Sequence, residues 1–204
     1  MYPGTIALSF LIALMAWRFE SARLERGRVE SIPYGTAAAG VVVADVSVDE
    51  NGAVTEVRVI QDVAPFTDVI RQSVKGWTFQ PAREDGGAVA SRVLVAGLFR
   101  PAMLLFPAPA TPLAPPADPD SAIPIPRSIA VPPYPPNVMG SATTLVEVTV
   151  TEEGTVSDAR LLGEAAGFAD AALSAARSWT FRHASRRRRN VPAQAYLIFV
   201  FRQP

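Results

Sequence analysis

The chain has no cysteine and a single histidine, His183, among its 204 residues. The first absence excludes disulfides, thiolate metal sites, iron–sulfur clusters and thiol nucleophiles together. The second leaves no multi-histidine metal site and little scope for acid–base chemistry built on imidazole. No Walker-type loop, Gly-x-Gly-x-x-Gly turn or Gly-x-Ser-x-Gly elbow occurs, so neither a phosphate cradle nor an activated serine is encoded. An excess of one charge is also missing: 19 Lys+Arg balance 19 Asp+Glu. That balance argues against bulk electrostatic binding to nucleic acid. These gaps disfavour an enzyme, and no cofactor or metal is expected.

Proline is abundant but unevenly placed. Thirteen of the 19 prolines lie between Pro101 and Pro136, where the missing backbone donors disfavour helix and sheet and favour a semi-rigid extended spacer. The chain therefore divides into an apolar anchor or helix (residues 1–30), a first domain (31–100), a Pro-rich linker (101–132) and a second domain (133–204).

The two domains are copies of one pattern. A shift of 102 positions lays Val43–Arg100 on Leu145–Arg202 without a gap, with 16 of 58 positions identical. The matches include Gly52/Gly154, Arg58/Arg160, Phe66/Phe168, Asp68/Asp170, Trp77/Trp179 and Phe79/Phe181, and a Pro-Tyr pair (Tyr34, Tyr134) precedes each copy. Two copies joined by a spacer read as tandem domains, not as a solenoid.

Each copy opens with strict alternation: Val146, Val148 and Val150 against Glu147, Thr149 and Thr151, which predicts a strand with one buried face. "DENG" and "TEEG" then supply a hairpin turn ending in glycine. Phe66, Ile70, Val74 and Trp77 recur at helical spacing, as do Phe168, Ala172, Ala176 and Trp179, so an amphipathic helix should cover the hairpin. The aromatics of Trp-Thr-Phe are expected to seal the core and not to form a ligand cage. Asp68 and Asp170 fall in the first helical turn, where a carboxylate suits the helix dipole.

A polar loop leads to a last strand that is apolar at every position from Ala195 to Phe201. One helix explains only alternate residues. The rest, including Tyr196, Ile198 and Val200, need cover from the other copy, a second molecule or a bound partner. The expected fold is α+β: two tandem β-β-α-β domains, each a three-stranded antiparallel sheet with a helix on one face. Its open edges could accept a further strand.

The combination of Pro-Tyr-Pro, an alternating strand, "EEG-T-V", an aromatic-led helix ending in W-T-F and an apolar final strand resembles the C-terminal domain of TonB proteins. The likeness covers Pro133–Pro204, with Pro33–Arg100 as a more divergent copy. Tyr134, Gly154, Phe168, Trp179 and Phe181, with Tyr34, Gly52, Phe66, Trp77 and Phe79, carry that signature. The resemblance implies a periplasmic module on an inner-membrane anchor. It also implies partners: an outer-membrane TonB-dependent-type receptor that adds a strand to the last strand, and an inner-membrane proton-channel complex that drives transport. Gln194, Ala195, Tyr196, Leu197, Ile198, Phe199, Val200 and Phe201 would form the receiving edge, unless dimerisation or the other copy closes it. The apolar segment has no histidine and the spacer has few charges, so a passive envelope scaffold with the same domains is the alternative.

Two features stand apart. Ile6–Trp17 is an apolar run with one serine; extended from Tyr2 to Phe19 it nearly spans a bilayer core. An anchor, a cleaved signal segment and a helix packed on the first domain all remain open. Arg186–Arg189 replace Glu84-Asp85-Gly86-Gly87 of the first copy, as a solvated turn or as a contact for an anionic surface such as lipid headgroups or cell-wall polymer. His183 replaces Pro81, with neither an orienting acid nor a nucleophile in the pattern to make it catalytic.

Overall fold

The computed structural model describes residues 17–30, 32, 39–99 and 121–203. Residues 1–16, most of the run from Ile6 to Trp17, and Tyr34 lie outside that set. The first half contains β1 (Phe19–Glu20), β2 (Arg23–Arg26), β3 (Gly40–Val48), β4 (Val54–Gln61), α1 (Phe66–Lys75), β5 (Thr78–Gln80), β6 (Ala82–Glu84), β7 (Gly87–Val89) and β8 (Ser91–Phe99). The second contains β9 (Ile125–Ser128), β10 (Ala142–Val150), β11 (Val156–Leu162), α2 (Ala169–Arg177), β12 (Thr180–Arg182), β13 (Ala184–Arg186), β14 (Arg189–Val191) and β15 (Ala193–Phe201). From β2/β9 to β8/β15, paired elements lie 102 residues apart to within one residue at each end.

The sheet departs from the expected pair of three-stranded units. One six-stranded sheet runs in the order β11-β10-β15-β8-β3-β4, and β15 and β8 meet in its middle as a parallel pair. The register explains why. Ala195 lies beside Leu94 and Val200 beside Phe99, a spacing of 101 where the sequence repeat is 102. Side chains alternate along a strand, so this one-residue offset turns equivalent residues of the two halves to opposite faces. The helices follow: α2 packs on one face and α1 on the other.

That offset accounts for the uninterrupted apolar final strand. Leu197, Phe199 and Phe201 face their own helix with Trp179 and Phe168, and Leu94, Ala96 and Leu98 of β8 join the same cluster. On the opposite face Val93, Val95 and Phe99 pack with Phe66, Ile70 and Trp77, joined by Tyr196, Ile198 and Val200 of β15. Each half thus covers the face that the other half's final strand leaves bare. Burial on both faces is what a central parallel pair requires.

Two other expectations change. Part of the presumed linker is folded: β9 pairs with β12, and Ile123 and Ile125 are buried in the α2-side core. Residues 23–26 behave the same way, β2 pairing with β5. The indole of each tryptophan pins its strap, Trp77 Nε1 donating to the Arg28 carbonyl and Trp179 Nε1 to the Ala130 carbonyl, both at 2.9 Å. The polar loop before each last strand is a short hairpin, β6–β7 or β13–β14.

Candidate interaction surface

The strand expected to receive a partner is not an edge. β15 pairs with β10 from Ala193 to Phe201 on one flank and with β8 from Ala195 to Val200 on the other. Ala195, Tyr196, Leu197, Ile198, Phe199, Val200 and Phe201 are buried, and Gln194 is held through the Thr149 hydroxyl. A strand whose donors and acceptors are already paired on both sides offers no ladder to a newcomer. The reason is the final-strand pairing between the halves, one of the closures the sequence left open.

The free margins of the large sheet are β4 and β11. Both carry charge on one side, Glu56 and Arg58 or Asp158 and Arg160, which discourages indiscriminate edge pairing. β4 pairs with β3 through two irregularities, whereas β11 keeps regular register from Asp158 to Leu162. Behind each margin sits a buried carboxylate. Asp45 accepts from Arg58 Nη2 at 2.8 Å and from Arg92 Nε at 2.8 Å. Glu147 accepts from Arg160 Nη2 at 2.7 Å and from the Tyr196 hydroxyl at 3.2 Å. Burial, reinforced by the Glu147 charge, pushes the Tyr196 phenol well above its ordinary pKa, so it stays a neutral donor. These groups are tied to one another and fix the strands; no nucleophile or proton relay is exposed among them.

The signature residues that are described are structural. Gly52 and Gly154 have φ of +85° and +86°, and a Cβ at either would collide with the carbonyl oxygen of Phe79 or Phe181. Those strands dock on the glycines directly, Phe79 N–H donating to the Gly52 carbonyl at 2.8 Å and Phe181 N–H to the Gly154 carbonyl at 2.7 Å. The glycine and the W-T-F motif therefore recur together because one fits against the other. Phe66, Trp77, Phe79, Phe168, Trp179 and Phe181 are core residues. Tyr134 packs edge-on against Phe168 and donates to the Gly140 carbonyl at 2.6 Å.

Because β8 and β15 run parallel, hairpins β6–β7 and β13–β14 meet at one end of the sheet. Glu84 accepts from Arg186 Nε at 2.9 Å and from Trp17 Nε1 at 3.0 Å, and Arg187 closes on the same carboxylate. The Trp17 hydrogen bond, aided by the two arginines, holds the Glu84 carboxyl below its usual pKa. Glu84 and Arg186 are equivalent positions, and their opposite charges at the repeat spacing were a signal readable in the sequence. Asp68 pairs with Arg71 at 3.1 Å in the first turn of α1, and Asp170 occupies the same place in α2. His183 is half-buried between β12 and β13. No group of three or more His, Cys, Asp or Glu able to hold a metal occurs among the described residues. An open groove of about 400 Å³ between the first strap and β5–β6, lined by Glu20, Arg23 and Arg83 among others, has no convergent catalytic set.

These features define an α+β module around one six-stranded sheet. A family model described as Gram-negative bacterial TonB protein C-terminal matches residues 36–101. The match falls on the first half, the copy that looked the more divergent, and the likeness of the second half rests on the internal repeat. Residues 36–101 are thus similar to the TonB C-terminal family. No curated protein and no solved structure matches the chain. Among the described residues no helix is long and apolar enough to cross a membrane.

Proposed function

We propose that the chain is a cell-envelope adaptor of the TonB C-terminal type, acting on the periplasmic side and binding an outer-membrane transporter by strand addition at an outer strand, β4 or β11. The family match to residues 36–101 supports the partner class. The observation that carries the rest is the mutual closure of β8 and β15, which among the described residues leaves the outer strands as the open margins of the six-stranded sheet. Affinity would come from backbone pairing, and register from alternate side chains.

A second reading is favoured by the histidine-free apolar segment and the charge-poor spacer: a passive scaffold that joins envelope proteins through the same margins without an inner-membrane motor or proton gradient. A photo-cross-linking side chain placed in living cells at the exposed positions Glu56 or Asp158, or at Ile198, tests both. Adducts with an outer-membrane transporter from position 56 or 158, and none from 198, support the adaptor. If they persist when the proton gradient is collapsed, the scaffold is favoured. Transporter adducts from position 198 alone would refute the outer-strand assignment.

A further inference from the structure

The four arginines Arg186–Arg189 are the sequence motif that strand addition leaves unused. We propose that the β13–β14 hairpin, together with Trp17 and Phe19 beneath it, is a docking surface for an anionic lipid bilayer.

Three independent observations converge there. The turn itself has no need of arginine. Arg187 and Arg188 have φ of +52° and +61°, where the first half has Asp85 at +50° and Gly86 at +87°. Asp-Gly or Asn-Gly satisfies such a turn at low cost, and two arginines held in the left-handed region are a strain that a function must repay. Aromatic rings also lie next to the charges. Trp17 and Phe19 stack with centroids 6.3 Å apart, the Arg189 guanidinium is 5.8 Å from the Trp17 ring and the Arg186 guanidinium is 4.7 Å from the Phe19 ring. Cations over amphipathic rings suit the headgroup level of a bilayer. Finally, Trp17 is the last residue of the apolar run that begins at Ile6, so in sequence that run leads directly to the ring under the hairpin.

Acidic neighbours limit the field. Glu84 is matched by Arg186 and Arg187, Glu20 pairs with Arg18 at 3.6 Å, and the Asp85 carboxylate accepts the Arg18 N–H. The adjacent turn contributes Glu152, whose carbonyl accepts from Asn190, and Glu153. Attraction is therefore local to the corner formed by Arg188 and Arg189, both exposed, and it weakens with salt. A bilayer fits better than a soluble anion because the exposed arginines, backed by the half-buried rings, form an open surface and not a pocket. The inference does not depend on strand addition, so either can fail alone.

The test uses the full chain with phosphatidylcholine vesicles, with and without phosphatidylglycerol, and compares the double variant Arg188→Gly/Arg189→Gln, which leaves the Glu84 ion pairs intact and puts glycine where φ is +61°. The apolar run is common to every sample and contributes equally. The wild type should prefer phosphatidylglycerol vesicles, the preference should fall with salt, and the variant should lose roughly 30-fold of it at about five-fold per arginine. Its circular dichroism and its binding to phosphatidylcholine should stay unchanged. If that variant unfolds, Arg188→Gln alone should lose about five-fold. No lipid preference in the wild type, or one untouched in a folded variant, would overturn the proposal. So would retention on an anionic cell-wall polymer without lipid preference.

Discussion

The two halves agree where each packs on itself and differ where they meet. Gly52/Gly154, Phe66/Phe168, Trp77/Trp179 and Phe79/Phe181 are identical, and each pair builds the core or turn of its own half, with Trp77 and Phe79 also packing on Tyr196 of the other. Along the final strands that form the shared seam, every pair but Phe99/Phe201 diverges. Leu94 corresponds to Tyr196, whose buried hydroxyl reaches Glu147 and accepts from the first strap's Leu24 N–H at 2.7 Å. Glu84 corresponds to Arg186, and the two touch. Two identical copies would place Glu against Glu or Arg against Arg there, so divergence replaces repulsion with an ion pair. The seam is a heteropair written into one chain, closing strands that would otherwise be open edges.

Breaking this comparison ranks the expected effects. Trp77→Ala and Trp179→Ala should each cost roughly 3–5 kcal/mol in urea unfolding, since each removes a buried indole and releases its strap. Near-equal losses are expected; a change under about 1 kcal/mol for either would show that half to be organised differently. Next come the unequal seam positions. Tyr196→Phe strands the Leu24 N–H and weakens the Glu147 network, for about 1–3 kcal/mol, whereas Leu94→Met should cost less than about 1.5 kcal/mol. A Tyr196→Phe loss under about 0.5 kcal/mol would mean that the hydroxyl contributes nothing.

The smallest effect belongs to the Glu84–Arg186 pair. Arg186→Glu should destabilise, and adding Glu84→Arg should restore stability by exchanging the charges. Because the Glu84 pKa is lowered in the fold, its contribution is present above the ordinary carboxylate range and fades as pH falls through the folded-state value. Removing Arg186 lessens that depression, so the stability lost on acidification below the usual carboxylate pKa should become smaller. An unchanged pH profile would remove Glu84 from the seam's energetics.

Much of each half was legible because local chemistry dictates it. Alternation in Val146–Val150, glycine at 52 and 154, and the Phe-to-Trp spacing specify hairpin and helix whatever surrounds them. The seam was not. Apolar residues at every position from Ala195 to Phe201 say that both faces are covered but not by what, and the offset of 101 against 102 exists only once two strands are in contact. The straps were hidden for a different reason. Pro124 and Pro126 make β9 resemble spacer, yet Pro126 sits in a strand paired on one side, where a missing donor is tolerated. Arg23–Arg26, largely charged, looked like the flank of an apolar segment. Topology hides the position of β15: its apolar run specifies a strand, and only the pairing with β8 puts that strand in the centre of the sheet.

Native-state hydrogen exchange, read amide by amide, tests the central claim most directly. If β8 and β15 close one another, the amides of Leu94–Phe99 and Ala195–Val200 should all be among the slowest in the protein, while alternate amides of β4 and β11 exchange faster from their open flanks. Alternate amides of β8 and β15 exchanging as fast as those of the outer strands would contradict it, because each final strand would then have a free side.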